Sequence, residues 1–510
     1  MKKILTAKAA KASDLYTIHS LNIPEPRLIN AAAYAVLDAL QTEGYDLRRP
    51  LILCGSGNNG ADGFALARML FSQGAHVTVL YLGASLDAAC MSEQCALHYA
   101  QAKQAGVIVL TELSQAPSAF TVVVDAVYGT GMHGSIKDGH VCAIFDAINK
   151  STIPVVAIDV PSGVNCTTGE ADAHTLRAAQ TVTVQHHKAG LLLYPGAEYA
   201  GKITLADIGI ESDPDYPSDE IYALEDSDLA ALLPARPARS HKGTFGRVLV
   251  VGGASGMAGA AYLAAMAAYR SGAGLVEILT HAENRTILQQ LIPEAIVTCY
   301  PDAAALEAIL PSALSRANAV VLGCGLGTSE LAQRCVSLVL QSAAVPLVVD
   351  ADALNIISAQ PTLLQSISNA QKQRTVITPH PAEAARLLGN EATAQSVTRN
   401  VTAAAEQLCD AYGTCVLLKD AHTLIMAHDA STRYINLSGS TALAGAGSGD
   451  ILAGCIGGLC AAQTNSLPIA TTAALAACLH GKAGEAATEK VGARGAMARD
   501  ILAELAGAAK

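Results

Sequence analysis

The sequence predicts an α/β protein of two domains, each a mainly parallel sheet with helices on both faces. Three observations predict it. Short apolar, β-rich runs alternate with helical segments, and they do so twice along the chain. Glycine-rich loops and single aspartates follow several of those runs, as they do at the carboxyl ends of parallel strands. An acidic segment at 211–228, ESDPDYPSDEIYALEDSD, holds two prolines and no helical apolar stripe. It reads as a linker, placing one domain at about 1–215 and a larger one at about 225–510. A chain of 510 residues suits that count.

In the first series the expected strands are 51–54, 76–81, 121–125, 155–159 and 181–185, with a helix at 64–73 after a Gly/Asn loop. In the second they are 247–251, 275–279, 319–322, 346–350, 375–378 and 415–418, followed by a helix-rich tail from Gly449. No short internal repeat interrupts either series.

Composition narrows the function. With 51% hydrophobic and 15% charged residues, the chain has ample material for sizeable cores. Its net charge of −11 argues against coating nucleic acid, which needs excess Lys and Arg. An anionic small ligand remains compatible, because backbone amides bind phosphate on an acidic protein. Tryptophan is absent and Phe numbers only 5, so no aromatic platform for single strands is expected. No apolar run reaches the roughly 20 residues that span a bilayer. The N-terminus begins with Lys2 and Lys3 but lacks an apolar core segment, so a cytoplasmic protein without a membrane partner is expected. The 13 cysteines are scattered without a CxxC pair, which reads as small buried hydrophobes rather than a zinc site.

Gly55-Ser-Gly-Asn-Asn-Gly60-Ala-Asp-Gly63 follows the first strand and contains a GxGxxG pattern. Glycines there let backbone approach a pyrophosphate at a helix N-terminus. A conventional NAD-dependent dehydrogenase would also carry an acid at the end of the next strand, whereas here the first acid is Asp87. Asp125 leads into Ala-Val-Tyr-Gly-Thr-Gly131, and Asp159 leads into Val-Pro-Ser162-Gly163. Two strand-end acids and a Gly/Asn loop should converge at one edge of the sheet.

These motifs, GNNGADG, DAVYGTG and AIDVPSGVNCTTG, followed by HKAGLLLYPG and ADIGI, resemble the epimerase domain of the NAD(P)H-hydrate repair enzymes, the YjeF N-terminal family. The resemblance covers most of 1–210 and implies a Rossmann-like three-layer fold. It implies that Asn58, Asn59, Gly60, Ala61 and Asp62 contact the hydrated dinucleotide, as do Gly129, Thr130, Gly131, Met132, His133, Gly134, Ser135 and Asp159. It also implies a potassium ion on Asn59, Asp125 and Ser162, whose oxygens suit a hard cation. Ala61 stands where the family usually has Gly. Inverting the hydrated ring carbon requires water to leave and return, pushed by the ring nitrogen. A carboxylate supplies the proton and stabilises the cation, with Asp159 the first choice and Asp125 the other unless potassium occupies it.

In the second domain the strongest motif is Gly445-Ala-Gly-Ser-Gly449-Asp450. Small residues opening a helix point amides at an anion, here Ala446, Gly447, Ser448 and Gly449, and Asp450 can take a proton from a nearby hydroxyl. This is the layout of phosphoryl transfer, and it resembles the ribokinase-like kinases. His241–Arg247, Gly323–Gly327, Asp350–Asn355, Thr378–Glu383 and Lys419–Thr423 follow the order of the ADP-dependent NAD(P)H-hydrate dehydratases, the YjeF C-terminal family, over about 230–505. With both halves present, the chain resembles the bifunctional repair enzymes.

The second resemblance implies hydrate contacts at Ala260, Gly325, His380 and Asp450, and adenine-nucleotide contacts at Lys419, Asp420, Ala421, His422, Thr423 and Gly449. Asp450 would deprotonate the hydroxyl as it attacks the terminal phosphate of ADP. AMP leaves, then phosphate, and loss of the adjacent proton restores NAD(P)H. Magnesium would bridge the phosphates, with Glu383 as a water-mediated anchor. Physics alone does not separate ADP from ATP. Ser448 replaces a common Thr, and Cys324 a common Pro, read as a small turn residue rather than a nucleophile. A homo-oligomer is expected, since Ala-rich helices can pack between subunits. The competing readings are a ribokinase-like kinase of a small alcohol or vitamin precursor, and a nucleotide sensor without catalysis. The fused first domain disfavours the kinase, and the intact Asp159 and Asp450 disfavour the sensor.

Overall fold

A computed structural model describes residues 1–508 apart from 114, 133, 217–219, 234–235, 390, 429–431 and 463–466. The chain divides into two compact units: Lys3–Glu220, and Ile221–Lys510 together with Met1–Lys2.

In the smaller unit seven parallel strands lie in the order Ile108–Leu110, Thr78–Tyr81, Pro50–Cys54, Val122–Ala126, Val155–Ile158, Gln180–Val184, Lys202–Ala206. The period of two along Pro50–Cys54 feeds two cores. Ile52 and Cys54 pack with Phe64, Leu66 and Val124 on one face, and Leu51 and Leu53 with Val123 and Phe145 on the other. Sequence order reverses between Pro50–Cys54 and Val122–Ala126, so the crevice at their carboxyl ends is the place where such sheets bind ligands.

The Gly/Asn segment differs from its expected loop. Helix begins at Asn58, six residues before the expected start, and runs to Ser72. The glycines serve close packing within it. A Cβ at Gly60 would lie 2.0 Å from the Gly55 carbonyl oxygen, and one at Gly63 would lie 2.7 Å from Ala126 Cβ and Cys54 Sγ. Two strands that the pattern did not signal, Ile108–Leu110 and Lys202–Ala206, form the edges, where exposure weakens the apolar run.

The larger unit has parallel strands in the order Ile296–Tyr300, Leu275–His281, Arg247–Val251, Ala319–Leu322, Leu347–Val349, Thr375–Ile377, Cys415–Leu418. Thr423–Ala427 and Thr432–Asn436 continue the sheet antiparallel. This mixed edge and the flanking helices complete a mainly parallel α/β layout. Ala-rich helices cover the sheet: Ala258–Arg270 lies against Ser448–Ala462 so closely that a Cβ at Gly454 would meet the Ala264 carbonyl oxygen at 2.1 Å. Part of the acidic 211–228 segment is ordered structure. Glu220–Ala223 is a strand, and Asp226–Leu232 is a helix whose Glu225 and Asp228 form a reciprocal cap. The boundary between the two units falls inside this segment, and its acids at 225–228 offset the positive helix end.

Candidate functional sites

A cavity of about 500 Å³ opens at the switch point of the smaller unit. Asn58, Asn59, Asp62, Gly129, Thr130, Gly131, Met132 and Asp159 line it, with Asp14 and Lys188. Asp159 sits just past Ile158 at φ +65, a left-handed conformation that turns the chain at the strand end. Its Oδ1 accepts from Lys188 Nζ at 2.5 Å and from the Val184 amide at 3.2 Å. Lys188 is only 3% exposed and also donates to Thr183 Oγ1 and the Val184 carbonyl. Three further carboxyls share the cavity, those of Asp14, Glu25 and Asp62. Burial, then the Asp159 charge, pushes Asp14 up to about 6, although Lys188 pulls it back. Asp62 is raised well above the ordinary carboxylate range, first by burial and then by Asp159 and Asp14.

Beside this cavity Asp125 is fully buried and accepts from the Ser162 hydroxyl at 2.6 Å, the Ser162 amide at 2.7 Å and the Val127 amide at 3.2 Å. Burial pushes its carboxyl up to about 6 despite those bonds. Asn59 presents a buried side-chain nitrogen with no partner, and its Cγ would lie 3.4 Å from a Cβ at Gly129. One buried carboxylate, an amide and a hydroxyl make a donor set that fits a hard monovalent cation. Among the described residues no group of three His, Cys, Asp or Glu side chains could hold a metal ion.

Other residues named from sequence lie elsewhere. Ala61 is fully buried in the core, where its methyl group is accommodated, and Gly60 is packed on Gly55. Gly134 and Ser135 are not among the cavity-lining residues, and His133 lies outside the described residues. Sequence reading gave no role to Asp14, which stands in no motif, or to Lys188, whose HKAG motif was noted without its charge.

In the larger unit Asp450 stands in the first turn of Ser448–Ala462, whose Gly449 and Asp450 amides have no acceptor within the helix. Burial, then the charge of Asp350, pushes the Asp450 carboxyl up to about 6. Burial, followed by the charge of Asp450, holds the Cys324 thiol far above its ordinary range. Cys324 is therefore a neutral thiol with no nucleophilic character. Lys419 Nζ lies 2.9 Å from Asp350 Oδ1 and 3.9 Å from Glu383 Oε2. Burial works against its charge, yet Asp350 and Glu383 outweigh it and raise Lys419. A Cβ at Gly449 would sit 3.5 Å from Lys419 Nζ, so lysine and helix N-terminus converge on one spot.

Gly325 and Ala260 touch: a Cβ on Gly325 would lie 2.8 Å from Ala260 Cβ. His380 caps its own helix, accepting from the Ala382 and Glu383 amides at Nδ1, while its amide donates to Glu383 at 2.9 Å. Glu383 thus faces both His380 and Lys419. Asp420, Ala421 and His422 form the turn between Cys415–Leu418 and the strand that Thr423 opens. Within the expected anion hole, Ala446 is exposed and Gly447 adopts φ +89. The Ser448 amide bonds Gly445 at 3.4 Å, and its hydroxyl is 3.0 Å from His480 Nε2. Asp350 and His480 are additions to the site. Asp350 ends a strand as Asp125 and Asp159 do, which was a usable signal, whereas His480 sits in an Ala-rich helix without one.

Residues 248–506 match the family model described as NAD(P)H-hydrate dehydratase, and 25–190 match that of the YjeF-related protein N-terminus. The bifunctional NAD(P)H-hydrate repair enzyme of Coxiella burnetii is 35% identical over 488 residues, covering 95% of this chain and 94% of its own. The chain belongs to the bifunctional NAD(P)H-hydrate repair enzymes. The repair enzyme of Moorella thermoacetica is 34% identical and covers 98% of this chain and 95% of its own. The solved ADP/ATP-dependent NAD(P)H-hydrate dehydratase of Bacillus subtilis is 28% identical, with a TM-score of 0.47, 56% of this chain and 96% of its own covered. In this repair-enzyme chain no described helix is long and apolar enough to cross a membrane.

Proposed function

We propose that the protein repairs hydrated NADH and NADPH. The unit at about 1–215 interconverts the R and S hydrates, and the unit at about 225–510 dehydrates the S form with ADP, yielding AMP and phosphate. One observation carries this reading: a single chain of the repair family holds both a carboxylate-lined cavity at one switch point and an acid on a glycine-opened helix in the other unit. A kinase of a small alcohol needs only the second.

In the first site Lys188 pairs with Asp159, which is aimed by two further bonds from Thr183 and Val184. An ionised Asp159 accepts a proton and stabilises the cationic ring. Asn59, Asp125 and Ser162 would hold potassium, whose positive charge would neutralise Asp125 and steady the 127–132 segment. In the second site Asp450 takes the hydroxyl proton, and the Gly449 amide and Lys419 balance phosphate charge. Magnesium would arrive with the nucleotide and add charge neutralisation at the phosphates. Asp420–Thr423 would face the adenine nucleotide, and Ala260, Gly325 and His380 the hydrate. A cytoplasmic homo-oligomer belongs to the same reading.

The test mixes purified protein with both epimers of NADH hydrate, magnesium, potassium and ADP, and follows reduced-nicotinamide absorbance. Complete recovery is expected. Recovery that stalls when one epimer is spent removes the epimerase assignment, and none with ADP or ATP brings the alcohol kinase forward.

A further inference from the structure

Epimerisation by loss and return of water needs two proton transfers of opposite sense: one group gives a proton to the departing hydroxyl, another takes one from the returning water. The cavity contains carboxyls in two environments. Asp159 is bonded to the Lys188 ammonium at 2.5 Å and to a backbone amide, so its charge is compensated. Asp62 comes from a different element, the Asn58–Ser72 helix, and is 9% exposed. Its Oδ1 is buried without a hydrogen-bond partner, and no lysine or arginine bonds it among the described residues. The groups facing it are Asp14 from the Ala7–Leu15 helix, Asp159 and Lys188 past the strand ends, and Glu25, Lys11 and His186 around the cavity. An unpaired buried carboxyl among acids stays neutral, and carboxyls held in opposite charge states are assigned as acid and base.

We propose that Asp62 is the proton donor of the epimerase site and Asp159 its acceptor. The proposal rests on the epimerase reading above and deepens it. The Asp62 proton passes to the substrate hydroxyl. The C–O bond breaks with its electron pair on oxygen, water leaves, and the ring-nitrogen lone pair forms C=N⁺. Water then adds to the other face: its oxygen forms the new C–O bond, the C=N pair returns to nitrogen, and the surplus proton passes to Asp159. The enzyme ends with Asp62 ionised and Asp159 protonated, the state that runs the reverse epimerisation. Exchange of one proton with solvent restores the start.

The experiment gives the full-length protein a single epimer of NADH hydrate without ADP and follows appearance of the other by chromatography. Asp62→Asn keeps the shape and the hydrogen-bonding capacity but carries no transferable proton. Its kcat should fall at least about 100-fold, the usual contribution of a positioned acid, while its Kd for NADH, which lacks the hydroxyl, stays within threefold of wild type. Wild-type kcat should fall as pH rises and the donor ionises, an alkaline limb absent from the variant's residual activity. If the variant does not fold, the wild-type limb still decides. An Asp62→Asn enzyme with near-wild-type kcat, or a wild-type profile without an alkaline fall, overturns the assignment. An Asp14→Asn enzyme that alone loses activity and the limb transfers the donor role to Asp14 and equally overturns it. Wild type that epimerises nothing removes the epimerase reading itself, a result distinct from a silent variant beside an active parent.

Discussion

Single residues in both units act through what burial does to their charge. Asp450 must be ionised to take a proton, and burial raises its carboxyl to about 6. Dehydration should therefore be near its full rate at pH 7.5 and lose about tenfold in kcat/KM per pH unit well below 6, measured with the S epimer and saturating ADP. Asp450→Asn should lower kcat by at least about 100-fold at all pH values. His480 makes a different statement. Burial pulls it from its ordinary 6.5 to about 4, so the neutral ring supports Ser448. The unfolded chain binds the proton first, so this contribution is complete above pH 6.5 and is lost as pH falls toward 4. The loss amounts to roughly 3 kcal/mol by pH 4. Urea titrations at pH 7.5 and 5 should show a smaller acid loss for His480→Gln than for wild type.

At the level of elements, small residues let two helices of the larger unit approach at backbone distance. Gly454 and Gly458 face Ala264 and Ala268, and a Cβ at Gly458 would come within 2.5 Å of the Ala268 carbonyl oxygen. Gly458→Val should destabilise by about 2–3 kcal/mol, read as a lower urea midpoint with an unchanged slope. The Ser448–Ala462 helix carries Asp450 at its other end, so a shifted helix should also raise the KM for ADP. The Asn58–Ser72 helix uses the same device: Gly60 and Gly63 bring its first turns onto Gly55 and Cys54, which sets Asp62 in the cavity wall.

Across the molecule each compact unit has its own core and its own candidate site. The two activities should therefore be removable one at a time. With mixed epimers, Asp450→Asn should give no absorbance recovery yet still equilibrate the epimers. Asp159→Asn should recover rapidly until the S form is spent, then continue at the uncatalysed rate; full rapid recovery would remove Asp159 from the mechanism. The alternation of strand and helix, the Gly/Asn segment, the strand-end acids and the GxGD turn were all readable along the chain. Each depends on neighbours a few residues away: a period of two or 3.6, a glycine where backbones touch, an acid where a strand stops. Edge strands escaped because exposure dilutes that pattern, and the Asn58 helix start escaped because its glycines look like loop while serving packing. Charge states were not readable in this way. Lys188 meets Asp159 across 29 residues, His480 meets Ser448 across 32 and Lys419 meets Asp350 across 69. Identical aspartates become a lysine-paired carboxyl at 159, a buried carboxyl with an unpartnered oxygen at 62 and a carboxyl raised to about 6 at 450. Local spacing is written in the order of residues, whereas desolvation and ion pairing arise only when folding brings distant groups together and takes water away.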